Sequence, residues 1–334
     1  MKKKSSVKEL LQKLGTLAAL VILCIIFCIM MPDKFPKVAN IMNILKQASI
    51  NCLIASGMLC ALITAGIDLS VGSNCALCTC FIGVLVEHFG IVNPVVLIFA
   101  GLAISTLCGF INGTLLTRLD LPHPFVSTMG MKNVLLGVAL VITGSKSIAF
   151  TNKGVDGLMW IGGGSLFKTF DASGKMTFPG IPFSFILVII VFCIFHVFLT
   201  KSALGRQIYC CGGNPEAARL SGINVFKSKF FVFAAVQLMS VLAAMMHSAQ
   251  VASGSYSFGK GWETDVISSV VIGGTSMAGG IGKPWGTLMG VLFMGVVVNA
   301  MTILNVDIYA QYVVRGAIMF FAVLMATFQA KAKA

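Results

Sequence analysis
Few residues of this chain have types and spacings that could do chemistry, and most of those few lie in apolar surroundings. The segment Gly66-Ile67-Asp68-Leu69-Ser70-Val71-Gly72-Ser73 places a carboxylate between two apolar runs. A charged side chain at the middle of a membrane span costs about 2.5–3.5 kcal/mol on insertion scales, so Asp68 is either partnered inside the protein or a site. Two roles are open to it. It can accept hydrogen bonds from the N–H groups of Ser70 and the residues beyond, capping the next helix as an N-cap does, or it can touch a transported solute. Asn51, Asn112 and Asn299 can bond between helices, at about 0.6 kcal/mol per bond, or donate to solute hydroxyls. His196 and His247 are solitary in apolar runs and read as packing residues rather than proton carriers. Cys75, Cys78 and Cys80 look like a metal cluster, but they share one apolar helix with no second ligand pair at zinc spacing.

Catalytic and nucleotide signatures fail residue by residue. Gly282-Lys283 resembles the end of a phosphate loop, but Pro284 stands where Ser or Thr is required and Met277 occupies the first glycine position. Gly162-Gly163-Gly164 has no flanking strand and reads as a turn. No Ser/His/Asp set or paired carboxylates emerge. The expectation is a non-enzyme with no cofactor and no metal. The loop from Gly205 to Ile223 is more informative. Asn214 suits an N-cap, Pro215 the first helical position, Glu216 the positive dipole end and Gly222 the stop. With Ala217, Ala218 and Arg219 between them, these residues specify a helix of about two turns, too short to persist alone in water. Held between basic stems, it reads as a docking knob for another protein.

The elements that must position these residues follow from composition. Of 334 residues 57% are apolar and 10% charged, and the mean hydropathy is +0.95, which excludes a soluble enzyme and makes lipid the solvent. Apolar runs at about 14–31, 48–66, 71–86, 94–117, 125–144, 183–199, 230–251, 265–278, 286–304 and 309–328 predict ten spans. The runs at 71–86 and 265–278 are short and adjoin glycine-rich breaks, as broken helices lining a cavity do. Eleven cysteines, an odd number mostly inside apolar runs, imply no disulfide framework. The apolar run after Lys2, Lys3 and Lys4 is longer than a signal peptide's and has no small-x-small cleavage site, so it reads as a retained first span.

The net charge of +13 resolves by side. With the N-terminus inside, fourteen basic residues face three acids on the inner side, net +11, including Arg118 and Asp120. The outer loops hold eight lysines, Lys46 among them, against seven acids, Glu263 and Asp265 among them, for +1. Asp68, Lys132 and Arg315 add +1 within spans. The charge is an orientation signal, and nucleic acid is not a partner. An internal repeat is also visible: Asn112 precedes Phe125 by 13 residues and Asn299 precedes Tyr312 by 13. An offset of five spans reverses direction through the membrane, as in inverted-repeat transporters.

On these motifs the chain resembles the permease subunit of ribose, galactose and xylose-type ABC importers, the carbohydrate uptake 2 group. The resemblance runs from about Asn43 to Ala326. It rests on Gly66-Ile67-Asp68-Leu69-Ser70-Val71-Gly72, on Gly213 to Ile223, and on Glu263-x-Asp265 followed by Gly273-Gly274-Thr275-Ser276 and Gly279-Gly280-x-Gly282. It implies an all-α polytopic membrane protein of about ten transmembrane helices, with an inverted repeat and broken helices, like a type II ABC importer. One permease domain would span 1–334, with repeat halves at about 48–144 and 230–328 and a cytoplasmic coupling loop at about 200–229. Residues Asn214 to Gly222 would form the coupling helix seated in a separate ABC ATPase subunit. An extracytoplasmic solute-binding protein would deliver a small sugar to a path between two copies of the chain, in a bacterial plasma (inner) membrane with both termini cytoplasmic. Asn112, Phe125, Asn299 and Tyr312 are the candidate path residues. The chain departs from the usual pattern at Val266-Ile267-Ser268-Ser269 and at Asn299-Ala300, so the resemblance names no particular pentose or hexose. The competing readings are a nucleoside importer of the same kind, an ion-coupled secondary transporter using Asp68, and a non-transporting scaffold.

Overall fold
The computed structural model describes residues 7–117, 124–171, 173–174 and 176–331. Lys2, Lys3, Lys4, Arg118, Asp120, Lys175 and Lys333 lie outside the described residues. Thirteen helices are described: α1 (Val7–Met30), α2 (Val38–Ile63), α3 (Val71–Phe89), α4 (Pro94–Thr117), α5 (Pro124–Thr143), α6 (Asp156–Gly163), α7 (Phe183–Lys201), α8 (Ala203–Gly213), α9 (Pro215–Leu220), α10 (Val225–Val251), α11 (Trp262–Ile272), α12 (Pro284–Ile303) and α13 (Ile308–Lys331). Four of them begin on proline, whose fixed φ and missing N–H suit a first helical position. Eight helices, namely α2, α3, α4, α5, α7, α10, α12 and α13, are long and apolar enough to cross a membrane. The chain is an all-α polytopic membrane protein.

The structure corrects the expected spans in several places. The run at 265–278 is not a span: α11 has 11 residues, about 16 Å of helix, or half a bilayer core. The paired glycines after it stop it, Gly274 adopting φ +89°, a region closed to most side chains. The run at 71–86 is instead the start of an uninterrupted 19-residue helix, and its break lies wholly in 64–70. Helix α2 begins at Val38 rather than 48, so Lys46 is a helix residue and not part of an outer loop. Gly162 and Gly163 close α6 and Gly164 caps it, so they form no free turn. Residues 203–213, expected as loop, form α8, whose start is capped by Ser202 accepting from the Gly205 N–H at 2.9 Å.

Helices α2, α3, α10 and α12 make the interior, and α13 is nearly uncovered. Without a hydrophobic force between helices in lipid, close packing and small residues must hold them. At the α2–α10 crossing a side chain on Gly57 would come within 2.8 Å of the Val236 Cα, so the glycine sets the approach. Leu53, Ile54, Met58, Leu59 and Ile63 of α2 are fully enclosed in this core. The packing is reciprocal: α2 lies on α12 as α10 lies on α4, and α3 lies on α5 as α11 lies on α13. Three short antiparallel pairs join the loops: β1 (Ile148–Ala149) with β6 (Ser253–Gly254), β2 (Ser165–Leu166) with β5 (Ile181–Pro182), and β3 (Thr169–Phe170) with β4 (Met176–Phe178).

Candidate functional site
The heads of α3 and α11 meet inside the bundle. A side chain on Gly72 would collide with the Gly259 carbonyl oxygen and come within 2.9 Å of Glu263 Oε2. Only glycine permits that approach. Around this point three carboxylates are held in two ways.

Asp68 is completely buried. Its Oδ1 accepts from the Ser70 N–H at 2.8 Å and the Ser70 hydroxyl at 2.6 Å, and its Oδ2 accepts from Gln237 Nε2 of α10 at 2.7 Å. The Ser70 N–H is the only backbone donor to it among the described residues, so the cap is an Asx-type turn ahead of α3 rather than a full N-cap. The network continues outward. Asn112 Nδ2 donates to Ser70 Oγ at 2.9 Å, and Ser105 Oγ and Asn74 Nδ2 donate to the Gln237 carbonyl at 2.7 and 3.3 Å.

Glu263 and Asp265, expected in an outer loop, lie in the first turn of α11 and are 5% and 7% exposed. Lys132 of α5 donates to Glu263 at 2.6 Å, and Arg315 of α13 donates to Asp265 at 2.9 Å. Both cations were assigned to spans without partners. Gln237, Lys132 and Arg315 are thus the site members that motif reading missed, and Glu263 and Asp265, quoted in a motif, were given no partner there. The available signal was electrostatic: two cations inside apolar runs require counter-charges, and the free carboxylates nearest a break were Glu263 and Asp265.

The four path candidates are not brought together. Asn112 Nδ2 donates to Ser70 Oγ, while its Oδ1 is buried with no hydrogen-bond partner among the described residues. Asn299 forms a reciprocal amide pair with Asn40 at 3.1 and 3.0 Å, so the two asparagines serve contacts toward opposite ends of α2. Phe125 and Tyr312, at the starts of α5 and α13, are half-exposed on the outside of the chain. His247 is wedged edge-on between Phe258 and Trp262, at ring distances of 4.5 and 4.9 Å. Cys75 Sγ donates to the Ser240 carbonyl at 3.0 Å, and among the described residues no three His, Cys, Asp or Glu side chains are placed to hold a metal ion.

In the 200–224 loop, Asn214 caps α9 by accepting from the Ala217 N–H at 3.0 Å, with Pro215 at its first position. Gly222 ends it at φ +79°. Ala218 is buried, while Glu216 and Arg219, paired at 3.1 Å, and Leu220 stand free of the chain. Leu220 is 84% exposed. Helix α8, just ahead, reaches the break between α11 and α12 through the Tyr209 hydroxyl, which donates to the Gly282 carbonyl at 2.8 Å, and the end of α2 reaches the same break where the Gly280 N–H donates to the Ile63 carbonyl at 2.8 Å. Burial holds the Tyr209 phenol above its ordinary pKa, so it remains a proton donor to Gly282 at neutral pH.

The family described as "Branched-chain amino acid transport system / permease component" matches residues 40–323. The chain belongs to this permease family. Among curated relatives, the ribose import permease protein of Bacillus subtilis is 37% identical over 318 residues, covering 94% of this chain and 92% of that one. The ribose import permease protein of Escherichia coli K12 is 36% identical over 321 residues, covering 95% and 94%. The L-arabinose transport system permease protein of the same strain is 32% identical over 328 residues, covering 96% and 92%. No solved structure gives a significant match. The permease is a transport subunit, and its apolar helices make it a multi-pass membrane protein.

Proposed function
We propose that this permease forms the translocation path of an ATP-driven importer for a small sugar, working as two copies with a separate ABC ATPase on the cytoplasmic side and a solute-binding protein outside. The observation that carries the reading is similarity along nearly the whole chain to the ribose and arabinose permeases. Helix α9 supports the coupling role, because a capped two-turn helix with Glu216, Arg219 and Leu220 turned outward cannot be held by its own stability. From α9, Tyr209 of α8 reaches Gly282, and Gly212 and Gly213 at the end of α8 lie against Gly280, and so against the root of α11 and α12. A helix so placed shifts an inward–outward equilibrium only by binding the ATPase differently in the two states. The basic inner loops and the reciprocal packing of α2–α5 against α10–α13 support cytoplasmic termini and the inverted repeat. Asp68 does not suit an ion-coupled mechanism, since both its oxygens are engaged by Ser70 and Gln237. Phe125 and Tyr312, half-exposed at the starts of α5 and α13, remain candidates for lining the path between the two copies.

The test is uptake of labelled D-ribose, L-arabinose or D-fructose into vesicles holding the permease with and without its ATPase. Uptake is expected only with the ATPase, and it should survive an ionophore. Replacing both Glu216 and Arg219 with alanine should lower uptake by about tenfold, as the loss of an interface anchor does. Normal uptake and normal complex formation in that variant would remove the coupling role.

A further inference from the structure
A cavity of about 450 Å³ opens between the first half of α2, the end of α10, and helices α11, α12 and α13. Its size falls in the roughly 300–1,000 Å³ of small-molecule sites. None of the path candidates named by motif lines it. Its polar lining is of two kinds. Arg315 and Asp265 neutralise each other, Gln47 donates to Asn43 at 3.2 Å, and Gln250 donates to the Lys46 carbonyl at 3.2 Å. By contrast, the buried Arg315 Nε and His247 Nδ1 have no hydrogen-bond partner among the described residues, and neither do three partly buried groups, the Asn51 amide, the Lys46 ammonium and the Trp262 indole N–H.

Unpartnered polar groups on helices that belong in hydrocarbon cost several kcal/mol each unless water or a ligand serves them. These three offer donors of different strength, and the Asn51 carbonyl adds an acceptor. Ala48, on the same face of α2 as Asn51, and Val291, Met294 and Val298 of α12 add an apolar lining. A lining that combines donors, an acceptor and apolar side chains matches a monosaccharide, whose hydroxyls give and take hydrogen bonds while its C–H face is apolar. We infer that this cavity is a sugar subsite within each copy of the permease, with Asn51, Lys46 and Trp262 binding the hydroxyls of a neutral monosaccharide. The assignment rests on the proposed sugar permease and places its path in residues not otherwise assigned. Trp262 and Asp265 belong to the head of α11, and the far end of α11 enters the glycine break touched by α8. The cavity wall is therefore mechanically joined to the ATPase-facing loop.

The test uses the complete importer, with its ATPase and binding protein, in proteoliposomes given labelled D-ribose, L-arabinose or D-fructose. Asn51→Leu, which removes the amide, and Val298→Phe, which fills the space, should each lower uptake at least about tenfold, the worth of one or two hydrogen bonds to solute, while the ATPase still copurifies. Asn51→Cys should react with a membrane-impermeant methanethiosulfonate more slowly while sugar is being transported. Wild-type uptake in both Asn51→Leu and Val298→Phe overturns the cavity assignment and leaves the sugar permease standing. Where those variants fail to assemble, Asn51→Cys decides, and equal labelling with and without sugar overturns the assignment. Uptake of none of the three sugars by the unmodified importer removes the permease reading and this assignment together.

Discussion

Asp68 at the head of α3 and the pair Glu263 and Asp265 at the head of α11 lie on either side of the Gly72–Gly259 contact, and they are stabilised by different means. Asp68 is held by neutral donors, one residue two positions away and one glutamine on the buried helix α10. The α11 carboxylates are held by cations on α5 and α13, helices far less enclosed than α2, α3 and α10. A carboxylate saturated by short-range neutral donors in a closed core has no alternative partner, so the head of α3 is part of a frame. Ion pairs to peripheral helices act through long flexible side chains and tolerate small movements. The head of α11, which also walls the cavity, is the part of the pair able to shift.

Three changes separate frame from adjustable element, in descending order of effect. Asp68→Ala leaves the Ser70 N–H and hydroxyl without their acceptor in a sealed site, and Gln237 Nε2 with Ser70 Oγ as its remaining partner. We expect a loss of about 2–5 kcal/mol, seen as a lowered thermal midpoint of the purified permease. A midpoint equal to that of the unmodified chain would break the distinction. For the α11 head, Lys132→Met or Glu263→Gln alone strands one charge and should cost about 1–3 kcal/mol. The double variant should recover at least about 1 kcal/mol of that in a thermodynamic cycle, and strict additivity would show that the pair holds nothing. The smallest change is at α9: Arg219→Ala breaks a pair whose members are 70% and 74% exposed, so stability should move by less than about 0.5 kcal/mol. A large loss of stability there would make α9 part of the frame instead of a free docking element.

Legibility in the sequence followed the range of the interaction. Helix α9 was read to within a residue, because Asn214, Pro215 and Gly222 act on backbone one to three positions away. The turn at Asp68 was legible for the same reason, since Ser70 is two residues on. What stayed hidden was every partner distant in the chain: Gln237 lies 169 residues from Asp68, and Lys132 lies 131 residues from Glu263. Asn112 and Asn299 stand at matching spacings in sequence yet bond to unrelated partners, Ser70 and Asn40, because each amide bonds to whatever residue packs beside it. The length of α11 was misjudged because apolar content continues past Ile272, while the helix stops at backbone geometry that only glycine adopts.

The sequence by itself determined that this is a polytopic membrane protein, where most of its helices run, the turn at Asp68 ahead of α3, and the capping of α9. All of these depend on contiguous residues, through the length of apolar runs and the reach of short side chains. Only the tertiary structure decided that Glu263 and Asp265 answer Lys132 and Arg315, that α11 is a half-length helix meeting α3 at Gly72, and that Asn51, Lys46 and Trp262 share a cavity. Those facts join side chains many tens of residues apart, and their juxtaposition exists only after α2, α10 and α11 have packed.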